Sequence, residues 1–314
     1  MIPQTIEVAA EALINGHLVI FPTETVYGVG ADALNTKATN RIYEIKKRPK
    51  NRKLIVHISS FTLAGFWTEI NKDLEALARS FWPGPLTVIV NSKNAEISKD
   101  LAGPKVAIRS PSNEIAAELL SKFEKLGGKG VVAPSANIFG TVSPTTLEAA
   151  LDSIGNSLKP DDIVLDGGRC EIGIESTIVD ITGFTPVIVR PGIISRSEIE
   201  SCIKKIVSQG VFTEDNFFSG SSESHYKPQK ALILNGNPRP GDAFIAMDEI
   251  ATPAGSLRIS RPKSETQFAF ELYESLRCSD KLLADNGQIH VHFSSNSDLG
   301  IAIMNRLVKA SSKY

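Results

Sequence analysis

The sequence predicts an α/β protein built from two domains. Its 314 residues exceed what one ordinary hydrophobic core requires. Short apolar runs alternate with helical patterns through roughly the first two hundred residues, the order expected of an α/β domain. Residues 213–230 then lose apolar periodicity and gather serines, which is typical of a linker. We therefore predict a first domain at residues 1–212, a linker at 213–230, and a smaller α/β domain with a largely parallel sheet at 231–314.

The elements of the first domain follow from apolar periodicity. Ile6, Ala10 and Leu13 share one face of a helix that Gly16 is placed to end. A second helix is predicted at 36–47. Apolar runs predict strands at 18–21, 54–58, 86–90, 106–109, 131–133, 163–165, 177–181 and 187–189.

A later helix and the tail are predicted in the same way. Ser195 and Glu198 form a capping box for a helix that runs through Ile206. In the second predicted domain, residues 231–314, which we call the tail, strands are predicted at 231–234, 257–259 and 289–293. Helices are predicted there at 265–276 and 299–309.

The composition excludes several classes of protein. It is 42% hydrophobic and 22% charged, which is ordinary for a globular protein, and no apolar run approaches the roughly 20 residues of a membrane helix. Glu7 and Glu11 fall where a secretory signal would be apolar. Cys170, Cys202 and Cys278 form no CxxC pair, which indicates reduced thiols in a cytoplasmic protein. The net charge of −1 argues against a globally basic nucleic-acid binder.

The charge is nevertheless uneven. From Arg41 to Lys53, seven of thirteen residues are basic. A solvated surface run is the usual explanation, and an anion site is the alternative. Lys46 and Arg48 lie at a predicted helix end, where cations can satisfy terminal carbonyls or bind phosphate oxygens. Composition alone does not separate these interpretations.

Two polar loops could also bind a small ligand. The loop at 22–28, which contains Thr25, offers hydroxyls, a carboxylate and a phenol, either to a ligand or to its own turn. Ser135 and Asn137 follow a predicted strand. Ser143 is a good N-cap, with Pro144 at the first helical position. A phosphate could sit at such a helix start, although an ordinary cap has the same signature.

Three further candidates lie at predicted strand ends. Arg109 and Arg190 each end a strand, and they are either salt-bridge partners or members of a cluster for negative charge. His57 ends another strand, where a structural hydrogen bond is the default role. The phosphate loop GxxxxGK[ST], the turn GxGxxG, the zinc pair HExxH and the elbow GxSxG are all missing from the sequence. If the protein uses ATP, it does so with another arrangement.

Eight separate segments, in order, resemble the Sua5/YrdC/YciO family. They are FPTETVYGVGADAL, KKRP, LIVHI, FWPGPLTVIV, VAIRSP, APSANIFGTVSPT, ESTIVDI and VIVRPG. The resemblance covers roughly residues 5–205, and the tail resembles the extra C-terminal domain of the two-domain Sua5 type. It implies a YrdC-like twisted mixed sheet with a concave basic face, followed by a smaller Rossmann-like α/β domain.

The resemblance also implies an activity and its residues. The family makes threonylcarbamoyl-AMP and pyrophosphate from L-threonine, bicarbonate and ATP, with Mg²⁺ accompanying ATP, for tRNA threonylcarbamoyladenosine (t6A) modification. Lys46, Arg48 and Arg190 would be catalytic. Those expected to contact threonine are Thr25, His57, Arg109, Ala133 and Ser176. Those expected to surround ATP are Lys46, Arg48, Arg52, Ser135, Asn137, Ser143, Arg190 and, from the linker that folds over the site, Tyr226.

Two departures from the family pattern bear on these assignments. Lys47 stands where the family commonly has glycine, and 51–53 replaces its usual D-N-P, which weakens the contact at Arg52. The expected partners are the substrates and downstream tRNA threonylcarbamoyl-transfer proteins, with no membrane and with tRNA binding not the primary role. The alternatives are an RNA-binding protein, a regulatory homologue without turnover, and a hydrogenase-maturation carbamoyl transferase, which would carry zinc knuckles.

Overall fold

The computed structural model describes residues 5–93, 103–210 and 225–311. These residues form a ten-stranded mixed sheet and a separate four-stranded parallel sheet, which confirms the predicted α/β class. Residues 213–224 of the predicted linker lie outside the described residues, and the exact domain bounds stay a prediction.

The large sheet brings distant parts of the chain side by side. Its spatial order is β10-β9-β8-β4-β5-β3-β6-β2-β1-β7. The strands are β1 (Val19–Phe21), β2 (Gly28–Asp32), β3 (Ile55–His57), β4 (Leu86–Asn91), β5 (Lys105–Arg109), β6 (Val131–Val132), β7 (Ile163–Val164), β8 (Thr177–Asp180), β9 (Val187–Arg190) and β10 (Ser208–Gln209). Because β3 and β5 are parallel and in register, His57 pairs with Arg109 at their shared carboxyl ends.

Seven helices of the described residues precede or flank this sheet. They are α1 (Ile6–Ile14), α2 (Thr36–Ile45), α3 (Ala64–Trp67), α4 (Lys72–Phe81), α5 (Glu114–Lys125), α6 (Leu147–Ile154) and α7 (Arg196–Ile203). The predicted capping box of Ser195 and Glu198 is present at the start of α7. The helix ends at Ile203 rather than Ile206, because Lys204 takes a left-handed conformation with φ 54°.

The prediction that Ser143 begins a helix is wrong. Helix α6 begins at Leu147, and its N-cap is Thr146, whose hydroxyl accepts a hydrogen bond from the Ala149 amide. Ser143 instead donates its hydroxyl to Glu175 at 2.6 Å. The neighbouring Pro144 carbonyl is bonded to the Tyr27 amide, and these two contacts hold the segment outside the helix.

The second sheet is fully parallel, as predicted, in the order β11-β14-β12-β13. Its strands are β11 (Ala231–Leu234), β12 (Ala243–Ala246), β13 (Leu257–Ser260) and β14 (Gln288–His292), and its helices are α8 (Glu265–Leu282) and α9 (Asp298–Ser311). Its apolar core is continuous with Val26, Val142 and Ile174 of the first part of the chain. The tail therefore packs against the loop that follows β1 and the loop that precedes β8.

The end of α2 shapes the basic segment. The Lys47 amide bonds to the Glu44 carbonyl, and the Arg48 amide bonds to the Tyr43 carbonyl, at 3.0 and 2.9 Å. This is the Schellman pattern, which places one residue in the left-handed region. Lys47 occupies that position with φ 50°. A side chain there is strained, which gives a physical reason for glycine at the same position in the family.

We predict that Lys47→Gly stabilises the protein by about 1 kcal/mol, because glycine adopts this conformation without strain. The matched control is Lys37→Gly, an exposed lysine in the first turn of the same helix, which should lower stability by a similar amount. Urea unfolding of the three proteins measures both effects. Equal destabilisation by the two substitutions would contradict this account of Lys47.

Candidate active site

One pocket gathers ten of the thirteen predicted site residues. It lies where the loop after β1, the end of α2, the ends of β3, β5 and β9, and the loop after β6 meet. The predicted residues that line it are Thr25, Lys46, Arg48, His57, Arg109, Ala133, Ser135, Asn137, Arg190 and Tyr226. Arg52, Ser143 and Ser176 do not line it. Segments more than a hundred residues apart therefore form one site.

Arg109 is the main cation on one side of the pocket. It is 4% exposed, and its Nη2 lies 2.8 Å from the Glu24 carboxylate and 3.0 Å from the Thr25 hydroxyl. Its Nε is buried and has no hydrogen-bond partner among the described residues. A second hydroxyl, that of Thr23, holds Thr25 in place at 2.8 Å. The guanidinium is thus fixed on one edge while Nε stays available to a small anion.

His57 lies beside Arg109 and is uncharged. Its Nδ1 is 3.2 Å from the Ile55 carbonyl. Burial, helped by the adjacent Arg109, lowers the pKa of His57 to about 3. The imidazole is therefore neutral near pH 7 and can exchange hydrogen bonds with a polar ligand without adding charge.

Lys46 joins the end of α2 to the loop after β6. Its ammonium donates to the carbonyls of Ser135 and Asn137, both at 2.5 Å. The Phe139 amide bonds in turn to the Lys46 carbonyl at 2.7 Å. Burial and the nearby Arg48 lower the pKa of Lys46. Lys46 therefore shapes the serine–asparagine loop as well as contributing a cation.

Arg48 is held from behind by the chain that follows it. Its Nε donates to the Arg52 carbonyl at 3.0 Å, and its Nη2 donates to the Lys53 carbonyl at 2.8 Å. The Phe139 ring lies 5.4 Å from its guanidinium carbon. Burial lowers the pKa of Arg48 to about 10, so it remains charged near pH 7. Arg52 supports this arginine through its main chain, and its side chain lies outside the pocket lining.

Ser176 and Ser143 do not line the pocket, but each forms a hydrogen bond to a residue that does. Arg190 donates from Nε to the Ser176 carbonyl and from Nη2 to the Ser176 hydroxyl, both at 3.0 Å. Ser176 also bonds to the Thr87 hydroxyl at 2.8 Å. Ser143 donates its hydroxyl to the carboxylate of Glu175, which lines the pocket. The structure therefore places both serines as supports of lining residues.

The predicted set of site residues lacks two carboxylates and one histidine, although the loop at 22–28 that carries the first carboxylate is a predicted candidate for ligand binding. Glu24 pairs with Arg109, Glu175 lines the pocket, and His225 lies next to Tyr226. An acidic residue directly before each ligand-type hydroxyl, in Glu24-Thr25 and Glu175-Ser176, was a visible signal for the first two. Four lining cations face a single lining carboxylate, so the pocket carries an excess of positive charge suited to an anionic ligand.

The fold and this pocket define a two-part α/β protein with a pocket lined by buried basic side chains. A family model described as "Telomere recombination", the Sua5, YciO and YrdC model, matches residues 11–192. A second model, described as "Threonylcarbamoyl-AMP synthase, C-terminal domain", matches residues 194–312. The chain belongs to the Sua5/YciO/YrdC family, and it has the two-domain arrangement of Sua5.

Full-length relatives agree with this assignment. The threonylcarbamoyl-AMP synthases of Pyrococcus abyssi and Bacillus subtilis are each 34% identical to the chain. The matches cover 98% and 96% of this chain and 94% and 92% of those proteins. The crystal structure of P. abyssi Sua5 complexed with L-threonine superimposes with a TM-score of 0.85, at 33% identity, over 98% of this chain and 94% of that one.

Within the described residues, no group of three or more histidine, cysteine, aspartate or glutamate side chains is arranged to hold a metal ion. None of the described helices is both long enough and apolar enough to cross a membrane.

The buried histidines predict a loss of stability in mild acid. Histidine in the unfolded chain takes up a proton near pH 6.5, whereas folded His57 and His225 do so only at about pH 3. The unfolded state therefore binds more protons below pH 6.5, and stability falls as the pH falls. From pH 7 to pH 5 the expected loss is about 2 kcal/mol for each histidine.

The variant His57→Gln isolates one of these titrations. We expect its free energy of unfolding to fall by about 2 kcal/mol less than that of the wild type between pH 7 and pH 5. Urea unfolding at the two pH values provides the comparison. The same loss in both proteins would show that His57 is not buried in its neutral form.

Proposed function

We propose that this protein is an L-threonylcarbamoyladenylate synthase that forms threonylcarbamoyl-AMP and pyrophosphate from L-threonine, bicarbonate and ATP. The observation that carries the proposal is one pocket with two kinds of binding wall. Arg109, neutral His57 and Thr25 suit a small zwitterion, and Lys46, Arg48 and Arg190 suit a polyphosphate. The full-length relatives that bear this name, and the relative whose structure holds L-threonine, support it.

The threonine wall suits an amino acid for a specific chemical reason. The Arg109 guanidinium has a buried Nε without a partner among the described residues, so it can donate a charge-assisted hydrogen bond to a carboxylate while Glu24 and Thr25 hold Nη2. Neutral His57 and the Thr25 hydroxyl can bond to the hydroxyl or amine of the ligand. Ala133 closes the recess with a small apolar surface. Ser176, which was expected to contact threonine, bonds to Arg190 and in the proposal supports the second wall instead.

The second wall suits the chemistry of adenylation. The threonine amine adds to carbon dioxide from bicarbonate and loses a proton, which gives a carbamate. A carbamate oxygen then attacks the α-phosphate of ATP and breaks its bond to the leaving pyrophosphate. Because both reactants are anionic, the protein must neutralise charge and align the two groups. In the proposal, the charge is neutralised by Lys46, Arg48 and Arg190. The space in which the two groups align is bordered by Ser135, Asn137 and Tyr226.

The role of Mg²⁺ in this proposal is tied to ATP. The lining carboxylate Glu175 already accepts bonds from Ser143 and Tyr273, so it is poorly placed to be a metal ligand. Phosphate oxygens and water can supply the ligands that Mg²⁺ prefers. Mg²⁺ bound to the triphosphate would reduce its charge. A cytoplasmic location, t6A formation and transfer of the product to downstream tRNA-modifying proteins complete the proposal.

Pyrophosphate release tests the function directly. The protein is incubated with Mg²⁺-ATP, bicarbonate and each amino acid in turn, and we expect release with threonine that requires bicarbonate. Threonylcarbamoyl-AMP should appear in equal amount by mass spectrometry. RNA binding that weakens steeply with salt, without pyrophosphate release, would favour the RNA-binding alternative. ATP binding without any release would favour a regulatory homologue.

Two arginine variants should separate the walls. Arg109→Gln should raise the KM for threonine, and Arg48→Gln the KM for ATP, each by about thirtyfold, because a buried charge contact is worth about 2 kcal/mol. Each variant serves as the control for the other, since the second substrate should retain its KM. Steady-state pyrophosphate release measures all four constants. A rise in both KM values for either variant would contradict the division into two walls.

A further inference from the structure

Glu175 is an acidic residue in a pocket that is otherwise lined by basic residues and proposed to bind anions. It is 6% exposed and lines the pocket among cations. Burial alone would raise its pKa, but Arg306 and Arg190 lower the pKa of Glu175 to about 2. The side chain is therefore ionised near pH 7. The negative charge of Glu175 would repel a triphosphate bound in the pocket unless another group neutralises it.

The group that meets this carboxylate comes from the tail. Arg306 on α9 is fully buried, and its Nε lies 3.3 Å from the Glu175 carboxylate. Its Nη2 donates to the Glu175 carbonyl at 3.2 Å, and its Nη1 contacts the carbonyl of Pro191, the residue after Arg190. One guanidinium thus contacts both the start of β8 and the end of β9.

Aromatic residues enclose this contact and connect it to the pocket. Tyr273 of α8 donates its hydroxyl to the Glu175 carboxylate at 2.7 Å. Its ring stacks on Tyr226 with centroids 5.6 Å apart. The guanidinium carbon of Arg306 lies 5.8 Å from the centre of the same Tyr226 ring. The ion pair is largely buried, and in such surroundings charge interactions are strong.

We propose that Arg306 is a positioning residue for the nucleotide wall, the part of the pocket formed by Lys46, Arg48 and Arg190. Arg306 neutralises Glu175 and so leaves the Arg190 guanidinium directed towards the phosphates. The proposal rests on the function proposed above and assigns the tail a role in it. Without Arg306, Arg190 is a cation of the pocket that still acts on the Glu175 carboxylate. The carboxylate would then both repel ATP and compete with ATP for that arginine.

A purely structural role for Arg306 makes a different prediction. If it only joins the two parts of the chain, its loss should weaken ATP binding whether or not position 175 is charged. If it acts by neutralising charge, then removing the Glu175 charge should compensate for its loss. The two explanations therefore separate in a double substitution.

The experiment uses the full-length chain with Arg306→Met, Glu175→Gln and the double variant. Calorimetric titration with Mg²⁺-ATP, without threonine or bicarbonate, gives the dissociation constants in the absence of turnover. We expect Arg306→Met to weaken ATP binding by about tenfold or more, and the double variant to return to within about threefold of wild type. Threonine affinity should be unchanged in all three variants.

Arg277→Met is the matched control. Arg277 is another arginine of the tail, partly buried, and its Nη2 contacts the Val142 carbonyl of the first part of the chain rather than Glu175 itself. Its loss removes a similar contact between the two parts, so ATP affinity should match that of the wild type. ATP binding in the double variant as weak as in Arg306→Met alone would overturn the proposal.

Glu175→Gln alone decides the question if Arg306→Met does not fold, which thermal unfolding will show. Charge neutralisation predicts tighter ATP binding by Glu175→Gln, because a negative charge is removed while Arg306 and Arg190 remain. Weaker binding would overturn the proposal. Threonine-dependent pyrophosphate release by the wild type tests the proposed function separately, because the titrations require binding and not turnover.

Discussion

Burial of several like charges in one small pocket is the constraint on which the rest of this structure depends. Lys46, Arg48, Arg109 and Arg190 are each at most 6% exposed. Removing a cation from water is costly, and like charges at close range repel. Each of these side chains is therefore fixed by carbonyls, hydroxyls or a carboxylate of neighbouring residues. These supports hold the basic groups at the space that an anionic ligand would occupy.

The supports differ between the two walls. Arg109 is paired directly with a carboxylate, Glu24, while Arg48 and Lys46 are held by main-chain carbonyls. A carbonyl stabilises a cation without cancelling its charge. The wall proposed for the nucleotide thus retains more uncancelled positive charge than the wall proposed for threonine, because Arg306 offsets the charge of Glu175 there. This difference matches the charges of the proposed ligands, since a triphosphate is far more negative than an amino acid.

The tail packs against the residues that form the pocket. Val26, Val142 and Ile174 bury their side chains in the core of the second sheet, so the loops that border the pocket are also part of the tail's packing surface. Tyr226, at the end of the predicted linker, is buried between Tyr273 and the pocket. The backbone of neighbouring His225 bonds to the Lys309 carbonyl of α9. Residues of the predicted linker therefore contact both the tail and the pocket, and the tail contacts the loops that border the pocket.

The sequence by itself determined the α/β class, the parallel second sheet and most strands, because apolar runs and capping signals are local. Segments whose pattern is set by distant neighbours were missed. Strand β2 contains Gly30, where an added Cβ would lie 2.7 Å from the Phe21 ring, so glycine is required in a strand that it would normally disfavour. Ser143 looked like a helix cap because its bond to Glu175, 32 positions away, cannot be read locally. Only the tertiary structure decided which cations share a pocket and which carboxylates accompany them, since strand register and domain packing bring those side chains together.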